Sequence, residues 1–535
     1  MANDETARSK GLSRRKFLVS AGATAAFGVV AAACAGNGGA PGGASGGTGA
    51  TTLTYGESGS FTTLNPWEQA YGARSLANQI FSRLVYLDQN GKPVADLAES
   101  WTLSPDGKSL TLKLRSGVKW QDGADLAASD FVRMYGYLSD PAFASSIGVQ
   151  KIKQSFTPVT AVKAPDPGTV VMEFSSAVPY YLDILDYWYL LRYDSPDNTQ
   201  FLKAAPVGTG PFRLINVSPQ QGATLEAFPG YYTRGEPHLK TVDIKMFGSG
   251  SNVVSNLRSG LVDGVSVSDY AQVGTLQGVP SFYTTEQPIG VWLMQVNVAK
   301  PPFDNRDVRQ ALSYSLNRSQ MAKVAFDGLE KPVSTPFFAP TATGYDQSLV
   351  NAQSFDLAKA KALLDGAGVG GLTITYPTPT SIPSVQTVGE IWQSDLAKIG
   401  VSLKIQPVTQ ALWLQLGAAK TAAATTDVVP WNSGRSLQDA AGFWATQLNF
   451  RGGAAAPLTR FGYHNPQLEA LVSQGAAETN VSTRKGIYQQ LNQIVVQDAY
   501  QISFATFSRL RGWSSKVGGQ GSDLPGNLQL AVAHA

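Results

Sequence analysis

Hydrophobic and polar positions from residue 53 onward alternate between a strand-like period of two and a helix-like period of about 3.6. Residues 53–55 predict a first strand, and residues 73–84 predict a helix that carries its large apolar side chains on one face. Residues 101–103 and 109–114 predict a hairpin, because the turn sequence Pro105-Asp106-Gly107 lies between them. The mixture of both periods indicates an α/β protein.

A βαβ unit is predicted in the second half of the chain. Residues 372–376 and 401–405 have strand-like patterns, and Gly400 ends the helical stretch 388–398 between them. Crossovers of this kind build parallel sheets, whose strands leave a crevice at their carboxyl ends. The pattern therefore favours a cleft as the functional site.

The length and composition of the chain predict more than one hydrophobic core. The chain has 535 residues, of which 43% are hydrophobic and only 15% are charged. Because a single core rarely grows beyond about 250–300 residues, two lobes are the expected organisation. The low charge excludes a coiled coil and a disordered polyelectrolyte.

The net charge of +3 comes entirely from the first 33 residues, which hold five basic and two acidic side chains. The remaining chain is formally neutral and has no stripe of Lys and Arg interleaved with aromatic residues. We therefore expect no nucleic-acid partner.

The start of the chain resembles a twin-arginine export signal. Arg14 and Arg15 stand in the sequence Ser-Arg-Arg-Lys-Phe-Leu, which is followed by a mildly apolar run over residues 19–33. The alternative is a permanent transmembrane helix, which needs about 20 predominantly apolar residues. This run is shorter and is diluted by Ala and Gly, so residues 1–33 are predicted to be a signal peptide.

Cys34 is the only cysteine in the sequence, which rules out an intramolecular disulfide and a multi-thiolate metal site. It directly follows three alanines, the position at which a bacterial lipoprotein is cleaved and acylated. The usual Leu three residues before the cysteine is replaced by Ala31, and the same sequence suits ordinary signal peptidase, which would release a soluble secreted protein. The Gly-rich residues 34–51 are predicted to be a flexible tether.

Several short motifs identify the folded part. They occur in order at residues 84–101, 114–123, 206–212, 259–263, 302–318, 463–468 and 484–488. Together they resemble the peptide/oligopeptide/nickel-binding class of ABC-transporter solute-binding proteins, family 5, from Thr52 to about Gly512. Most of these residues also have a purely structural meaning. Asn305, for example, is a predicted cap for a helix whose apolar residues recur at helical spacing.

The resemblance implies a two-lobed α/β periplasmic-binding-protein fold with mixed sheets and an interlobe cleft. Lobe I would comprise residues 52–293 and 504–535, with an extra subdomain at about 66–205, and lobe II would comprise residues 294–503. Such a protein captures peptides or similar small solutes by hinge closure and delivers them to membrane permease subunits. It would be a monomer that uses no cofactor and makes or breaks no bond.

The resemblance also implies where the ligand binds. In peptide-binding relatives, a carboxylate a few residues after a Gly-Trp pair holds the α-amino group of the ligand. Trp431 matches that tryptophan, but Gly434 and Arg435 stand where the acid is expected. Either Asp439 replaces the acid or the ligand lacks a free amine. Arg435 favours an acidic or polyhydroxy ligand, with a surface salt bridge as the structural alternative.

The predicted ligand-binding residues are Asn65, Trp67, Trp431, Asn432, Arg435, Asp439 and Trp444. Among the tryptophans, five could offer a stacking face to sugars or apolar groups, and each could equally belong to the core; they are Trp67, Trp292, Trp413, Trp431 and Trp444. Peptides and oligosaccharides both remain open as ligands.

Other functions fit the sequence less well. The three histidines, His238, His464 and His534, form no His-Glu-x-x-His motif and adjoin no nucleophile motif, although paired carboxylates could still serve a glycosidase. Three scattered histidines and one cysteine also make a metal site hard to assemble, leaving only metal bound through a chelator. A receptor that reports solute to a signalling partner remains a further alternative.

Overall fold

The computed structural model describes residues 52–58, 61, 64–67, 73–141, 153, 156–186, 188–192, 206–247, 253–267, 269–418, 426–434, 463–522, 528–531 and 533–534. The predicted export signal with Arg14 and Arg15, the predicted acylation site Cys34 and the tether lie outside these residues. Within them, no helix has both the length and the apolar character needed to cross a membrane.

Strands and helices alternate along the described residues. The strands are β1 (Thr52–Ser58), β2 (Val85–Leu87), β3 (Pro93–Ala95), β4 (Ala98–Leu103), β5 (Ser109–Leu114), β6 (Val159–Asp166), β7 (Thr169–Phe174), β8 (Phe212–Ser218), β9 (Gly222–Ala227), β10 (Thr241–Phe247), β11 (Gly264–Val267), β12 (Phe282–Val296), β13 (Thr373–Pro379), β14 (Ser402–Val408), β15 (Val428–Gly434), β16 (Gln501–Ser514), β17 (Gly521–Ser522) and β18 (Leu528–Gln529).

The helices are α1 (Ala73–Ile80), α2 (Ala128–Gly136), α3 (Tyr181–Leu185), α4 (Val253–Arg258), α5 (Tyr270–Gly274), α6 (Arg306–Tyr314), α7 (Arg318–Val324), α8 (Gln347–Val350), α9 (Leu357–Gly366), α10 (Pro383–Ala397), α11 (Gln410–Ala418), α12 (Pro466–Ala477) and α13 (Val481–Asp498).

An eight-stranded mixed sheet has the order β15-β12-β16-β11-β1-β10-β9-β8. Its centre is parallel, since β1 pairs in the same direction with β10 and β11. The long strands β12 and β16 pair antiparallel over most of their length and connect this centre to β15. A separate antiparallel sheet has the order β4-β5-β7-β6.

Two large hydrophobic clusters surround these sheets. The first draws on residues between Leu53 and Met246 together with Trp513 and the end of the chain, and the second draws on residues between Val253 and Leu510. β16 contributes to both, because Leu510 packs in the second cluster and Trp513 in the first. The bounds of the two lobes stay a prediction.

The structure confirms several local predictions. β13, α10 and β14 form the predicted βαβ unit with parallel strands. The β4–β5 hairpin turns at Gly107, whose φ of 70° is a left-handed conformation that glycine adopts without strain. Asn305 caps α6, because its side-chain oxygen accepts a hydrogen bond from the Asp307 N–H at 2.8 Å.

The first helix ends four residues earlier than predicted. α1 stops at Ile80, although the apolar pattern continues to Leu84. The backbone N–H of Arg83 donates to the Asp96 carboxylate at 2.7 Å, and the carbonyls of Arg83 and Leu84 accept from residues 97 and 98. These hydrogen bonds satisfy the backbone N–H and carbonyl groups of residues 83 and 84 that a longer helix would have used, so the chain leaves the helix before them.

Candidate functional site

The parallel strands β1, β10 and β11 end side by side at Ser58, Phe247 and Val267. In open α/β sheets, ligands bind in the crevice beyond the carboxyl ends of such strands. The polar side chains at this edge are therefore the first candidates for a functional site.

Glu57 is a buried carboxyl group at the end of β1. It accepts hydrogen bonds from the hydroxyl groups of Ser75 on α1 and Ser266 on β11, the latter at 2.9 Å. Burial raises the pKa of Glu57, while the two hydroxyl donors and then the positive charges of Arg511 and Arg509 oppose the rise. A buried carboxyl with this many partners fixes the geometry of the edge.

Glu330 is a second buried carboxyl group, held between α5 and β16. Its Oε1 atom accepts from the Tyr270 hydroxyl and the Ser508 N–H, each at 2.8 Å, and its Oε2 atom accepts from the hydroxyl groups of Thr506 and Ser508. Burial raises its pKa to about 7 despite these donors. The Tyr270 hydroxyl also accepts from Trp292 Nε1 at 3.3 Å, so the network ties β12, α5 and β16 together.

Phe507 and Arg509 are half-buried on β16, whereas Thr506, Ser508 and Leu510 beside them are buried. The guanidinium carbon of Arg509 lies 5.6 Å from the centre of the Phe507 ring, a cation–π distance. Phe507 in turn packs edge-to-face on the buried Trp292, with 5.2 Å between ring centres.

Trp431 and Asn432 lie half-buried on β15. The Trp431 ring packs on the ring of Trp413, with 4.6 Å between their centres, and Trp413 Nε1 donates to the Pro430 carbonyl at 2.9 Å. A Cβ atom on Gly417 of α11 would lie only 2.0 Å from the Trp431 ring. The indole is therefore pressed against the helix backbone and held in one orientation.

Asn432 pairs directly with Trp292 of β12. Residues directly opposite one another in an antiparallel pair lie on the same face of the sheet. Asn432 therefore shares a face with Trp292, on which Phe507 packs.

Asn65 and Trp67 are fully buried. The Asn65 side-chain oxygen accepts from the Trp67 N–H at 3.0 Å, and Trp67 Nε1 donates to the Tyr189 carbonyl at 2.9 Å. Trp67 belongs to the first large cluster, whereas Trp431 packs against two small clusters that include Trp413 and Leu293. Trp431 and Asn432 are thus neighbours on β15 with side chains on opposite faces, and Trp67 lies in a different part of the core.

Three predicted site residues, Arg435, Asp439 and Trp444, lie outside the described residues. The structure describes four of the five tryptophans that could stack on a solute. Trp67, Trp292 and Trp413 are buried, and Trp431 is the half-buried one among these four. The described ranges hold no group of three or more His, Cys, Asp or Glu side chains placed to bind a metal ion.

Sequence reasoning missed Glu57, Glu330, Phe507 and Arg509. Two of these residues could have been noticed, because each is a charged residue in an otherwise strand-like stretch. They are Glu57, at the end of the first strand, and Arg509, within the apolar run of β16. Glu330 follows a loop and carries no such mark, because its partners come from α5 and from β16, which begins about 170 residues later.

Comparison with known proteins gives a consistent match. The family model of bacterial extracellular solute-binding proteins, family 5 (Middle), matches residues 92–454. The glutathione-binding protein GsiB of Escherichia coli (strain K12) is 26% identical over 452 residues, which cover 82% of this chain and 86% of that protein.

Solved structures share the fold. AgaA in complex with agropinic acid, from A. tumefacien R10, aligns with a TM-score of 0.75 at 24% identity, over 89% of this chain and 98% of that one. The DppA protein of Helicobacter pylori in complex with the peptide STSA aligns with a TM-score of 0.76 at 21% identity, over 90% and 98%. Staphylococcus aureus NikA in complex with Ni(L-His)2 aligns at 0.73 and 20% identity, over 90% and 99%. These alignments confirm the two-lobed, mixed α/β periplasmic-binding-protein fold.

Proposed function

Because the chain belongs to the bacterial extracellular solute-binding proteins of family 5, the binding components of ABC importers, we propose that it captures peptides or similar small solutes by hinge closure. The captured solute is then delivered to the permease subunits in the membrane. Binding to both lobes would favour the closed form, because a ligand shifts a conformational equilibrium by its differential affinity for the two states.

The arrangement of β15, β12 and β16 carries the proposal. On one face, these three neighbouring strands present half-buried Asn432, Phe507 and Arg509, while the residues that support them are buried; half-buried Trp431 lies on the other face of β15. An aromatic face beside amide and guanidinium donors suits a small organic solute with polar groups. β12 and β16 also contribute side chains to both large hydrophobic clusters, so a hinge motion of one cluster against the other would bend these two strands.

We place Trp431 and Asn432 in contact with the solute, together with Arg435, Asp439 and Trp444 from the segment that follows β15. Asn65 and Trp67 are buried, so their part in the site would be to support its wall from the core. Replacing Arg435 by Ala is expected to weaken binding without lowering the melting temperature of the unliganded protein. Unchanged affinity would remove Arg435 from the site.

A non-peptide ligand is the second candidate. Gly434 occupies the position at which peptide-binding relatives carry an acid for the α-amino group. A relative of the same fold was solved with agropinic acid. Agropinic acid, other organic acids and oligosaccharides therefore stand beside peptides as solutes to test.

We further propose that Arg14 and Arg15 direct twin-arginine export and that acylation of Cys34 anchors the protein to the outer face of the cell membrane. The Gly-rich tether would leave the folded part free to meet the permease as a monomer. The relatives are transport proteins that bind their solutes, so the proposed role includes no catalysis.

A thermal-shift screen of the purified mature protein tests the function. The panel contains di- to pentapeptides, glutathione, oligosaccharides, sugar acids and nickel–histidine, because a ligand that binds only the native state raises the melting temperature by mass action. Stabilisation by at least one member, recovered chemically unchanged, is the expected result. Hydrolysis of a stabilising member would indicate an enzyme instead.

A further inference from the structure

β12 and β16, the two long strands that would bend in a hinge motion, pair irregularly at two places. Their register shifts between Pro288 and Gly290 and again between Trp292 and Leu293. Such irregularities interrupt the ladder of hydrogen bonds and are points at which paired strands bend. We therefore expect β12 and β16 to bend at and between these two shifts when the protein opens.

Glu330 is bonded to β16 at this part of the strand pair. Ser508, which is opposite Pro288 at the first shift, donates its N–H and its hydroxyl group to the Glu330 carboxyl, at 2.8 and 3.0 Å. Thr506, which is opposite Val291 between the two shifts, donates its hydroxyl group to the same carboxyl. The carboxyl group is thus attached to the strands where they are expected to bend.

Tyr270 connects the same carboxyl group to α5 and β12. Its hydroxyl group donates to Glu330 Oε1 at 2.8 Å and accepts from Trp292 Nε1 at 3.3 Å. Glu330 is 2% exposed and Tyr270 is 3% exposed, so water is excluded from the carboxyl while these bonds are intact. A bend at Ser508 would move the Ser508 donors away from the Tyr270 donor and let water reach the carboxyl.

The hydrogen-bond partners of Glu330 among the described residues are all uncharged. They are three hydroxyl groups and one backbone N–H. A buried carboxylate without a cation is costly, whereas the protonated carboxyl group is neutral. Burial accordingly raises the pKa of Glu330 to about 7, although the donors oppose the rise. Its charge therefore changes near neutral pH.

Charged side chains on the surrounding elements do not neutralise this carboxyl group. The start of α5, the segment 327–331, β12 and β16 carry three acidic and three basic side chains besides Glu330, and they are Asp269, Glu286, Asp327, Lys331, Arg509 and Arg511. In the described ranges none of them forms an ion pair with Glu330. The charge of Arg509 opposes the rise that burial causes in the pKa of Tyr270, and Arg511 acts in the same way on Tyr55.

We propose that solute capture is coupled to the protonation of Glu330, whose neutral form favours the closed hinge and whose ionised form favours opening. The ionised group gains hydration when the strands bend, whereas the neutral group gains much less. In the open form, water returns the pKa of Glu330 toward its ordinary value of 4.5, against about 7 while the carboxyl is buried.

The sign of the effect follows from this difference. The contribution of Glu330 to closure is complete below about pH 4.5 and is lost as the pH rises to about 7. Because the solute binds the closed form, its affinity should fall over the same range. This inference rests on the proposed solute-binding function and adds its regulation.

The affinity measured as a function of pH tests the proposal. Trialanine, glutathione and maltotriose are titrated by calorimetry into the wild type and into Glu330→Gln at intervals from pH 5.5 to 8.5. Maltotriose has no group that titrates in this range, and the ratio of the affinities of the two proteins removes the titration of the peptides themselves. Glu226→Gln, at an exposed position on β9, is the control.

The affinity of the wild type for a probe that it binds should fall by up to about 30-fold between pH 5.5 and 8.5. This is the change for one group whose pKa is 4.5 in the open form and about 7 in the closed form. Glu330→Gln is neutral at every pH and should not show the fall. Tyr270→Phe removes a donor that lowers the pKa of Glu330, so the fall should come at a higher pH. Glu226→Gln should follow the wild type.

The same pH dependence in the wild type and Glu330→Gln would overturn the inference, and so would a wild-type affinity that rises with pH relative to that of the variant. In both cases the proposed solute-binding function would stand. A wild type that binds none of the probes would contradict both. If Glu330→Gln fails to fold, Tyr270→Phe decides the question, because a midpoint at the pH of the wild type would overturn the inference.

Discussion

Replacing Glu330 by Gln should make the protein more stable at neutral pH than the wild type. Burial raises the pKa of Glu330 from its ordinary value of 4.5 to about 7. In the unfolded chain the group loses its proton near 4.5, whereas the folded protein retains it up to about pH 7. The folded state of the wild type therefore loses stability as the pH rises from about 4.5 to about 7.

The size of this loss follows from the difference between the two pKa values. Each pKa unit corresponds to about 1.4 kcal/mol, so the cost of ionising Glu330 in the folded state is about 3 kcal/mol above pH 7. Gln is neutral at every pH and fits the same hydrogen bonds. Its oxygen can accept from Tyr270 and the Ser508 N–H, and its amide can donate to the Thr506 and Ser508 hydroxyls.

The assay is urea unfolding of the wild type and Glu330→Gln at intervals from pH 4.5 to 8.5. The two proteins should have similar unfolding free energies at pH 4.5, and the variant should be more stable by up to about 3 kcal/mol at pH 8. Glu226→Gln, at an exposed position on β9, is the control and should show no such divergence. A difference that does not change with pH, or a variant that is less stable throughout, would refute the reasoning.

Three further changes test separate parts of the account. Arg83 and Asp186 form a buried ion pair at 3.1 Å. Arg83→Met should lower the free energy of unfolding by about 3–5 kcal/mol, because the Asp186 carboxylate is then buried without a counter-charge. The double variant Arg83→Met with Asp186→Asn should recover part of that loss, as measured by urea unfolding. Gly417→Ala should displace the Trp431 ring, which lowers the free energy of unfolding by about 1–3 kcal/mol and weakens solute binding measured by calorimetry. In the control Gly486→Ala the added Cβ contacts nothing, so the variant should be as stable as the wild type or slightly more stable. Cys34→Ser should shift the protein from the membrane fraction to the culture medium or periplasm, and unchanged fractionation would contradict the lipid anchor.

Local sequence patterns predicted the local elements well. The hairpin at Gly107 and the βαβ unit ending in β14 depend on turn residues and on hydrophobic periods within short windows. The early end of α1 could not be predicted in this way, because the competing hydrogen bonds come from Asp96 and the following residues. Long-range pairing overrode the helical pattern at that point.

The candidate site was predictable only in part. Trp431 and Asn432 were predicted as ligand contacts through resemblance to a family motif; the structure places both half-buried on one strand, and their contact with a solute stays a prediction. Arg509 and Glu330 were missed because their surroundings are assembled by β11, β12 and α5, which are distant in sequence. Spacing along the chain carries no information about such partners.

Calorimetric titration of the purified mature protein with the most stabilising member of the solute panel tests the central claim most directly, with mass spectrometry of the recovered solute. Capture by a solute-binding protein predicts one solute per protein chain, saturable binding and quantitative recovery of the unchanged molecule. No saturable binding, or recovery of a hydrolysed product, would contradict the account.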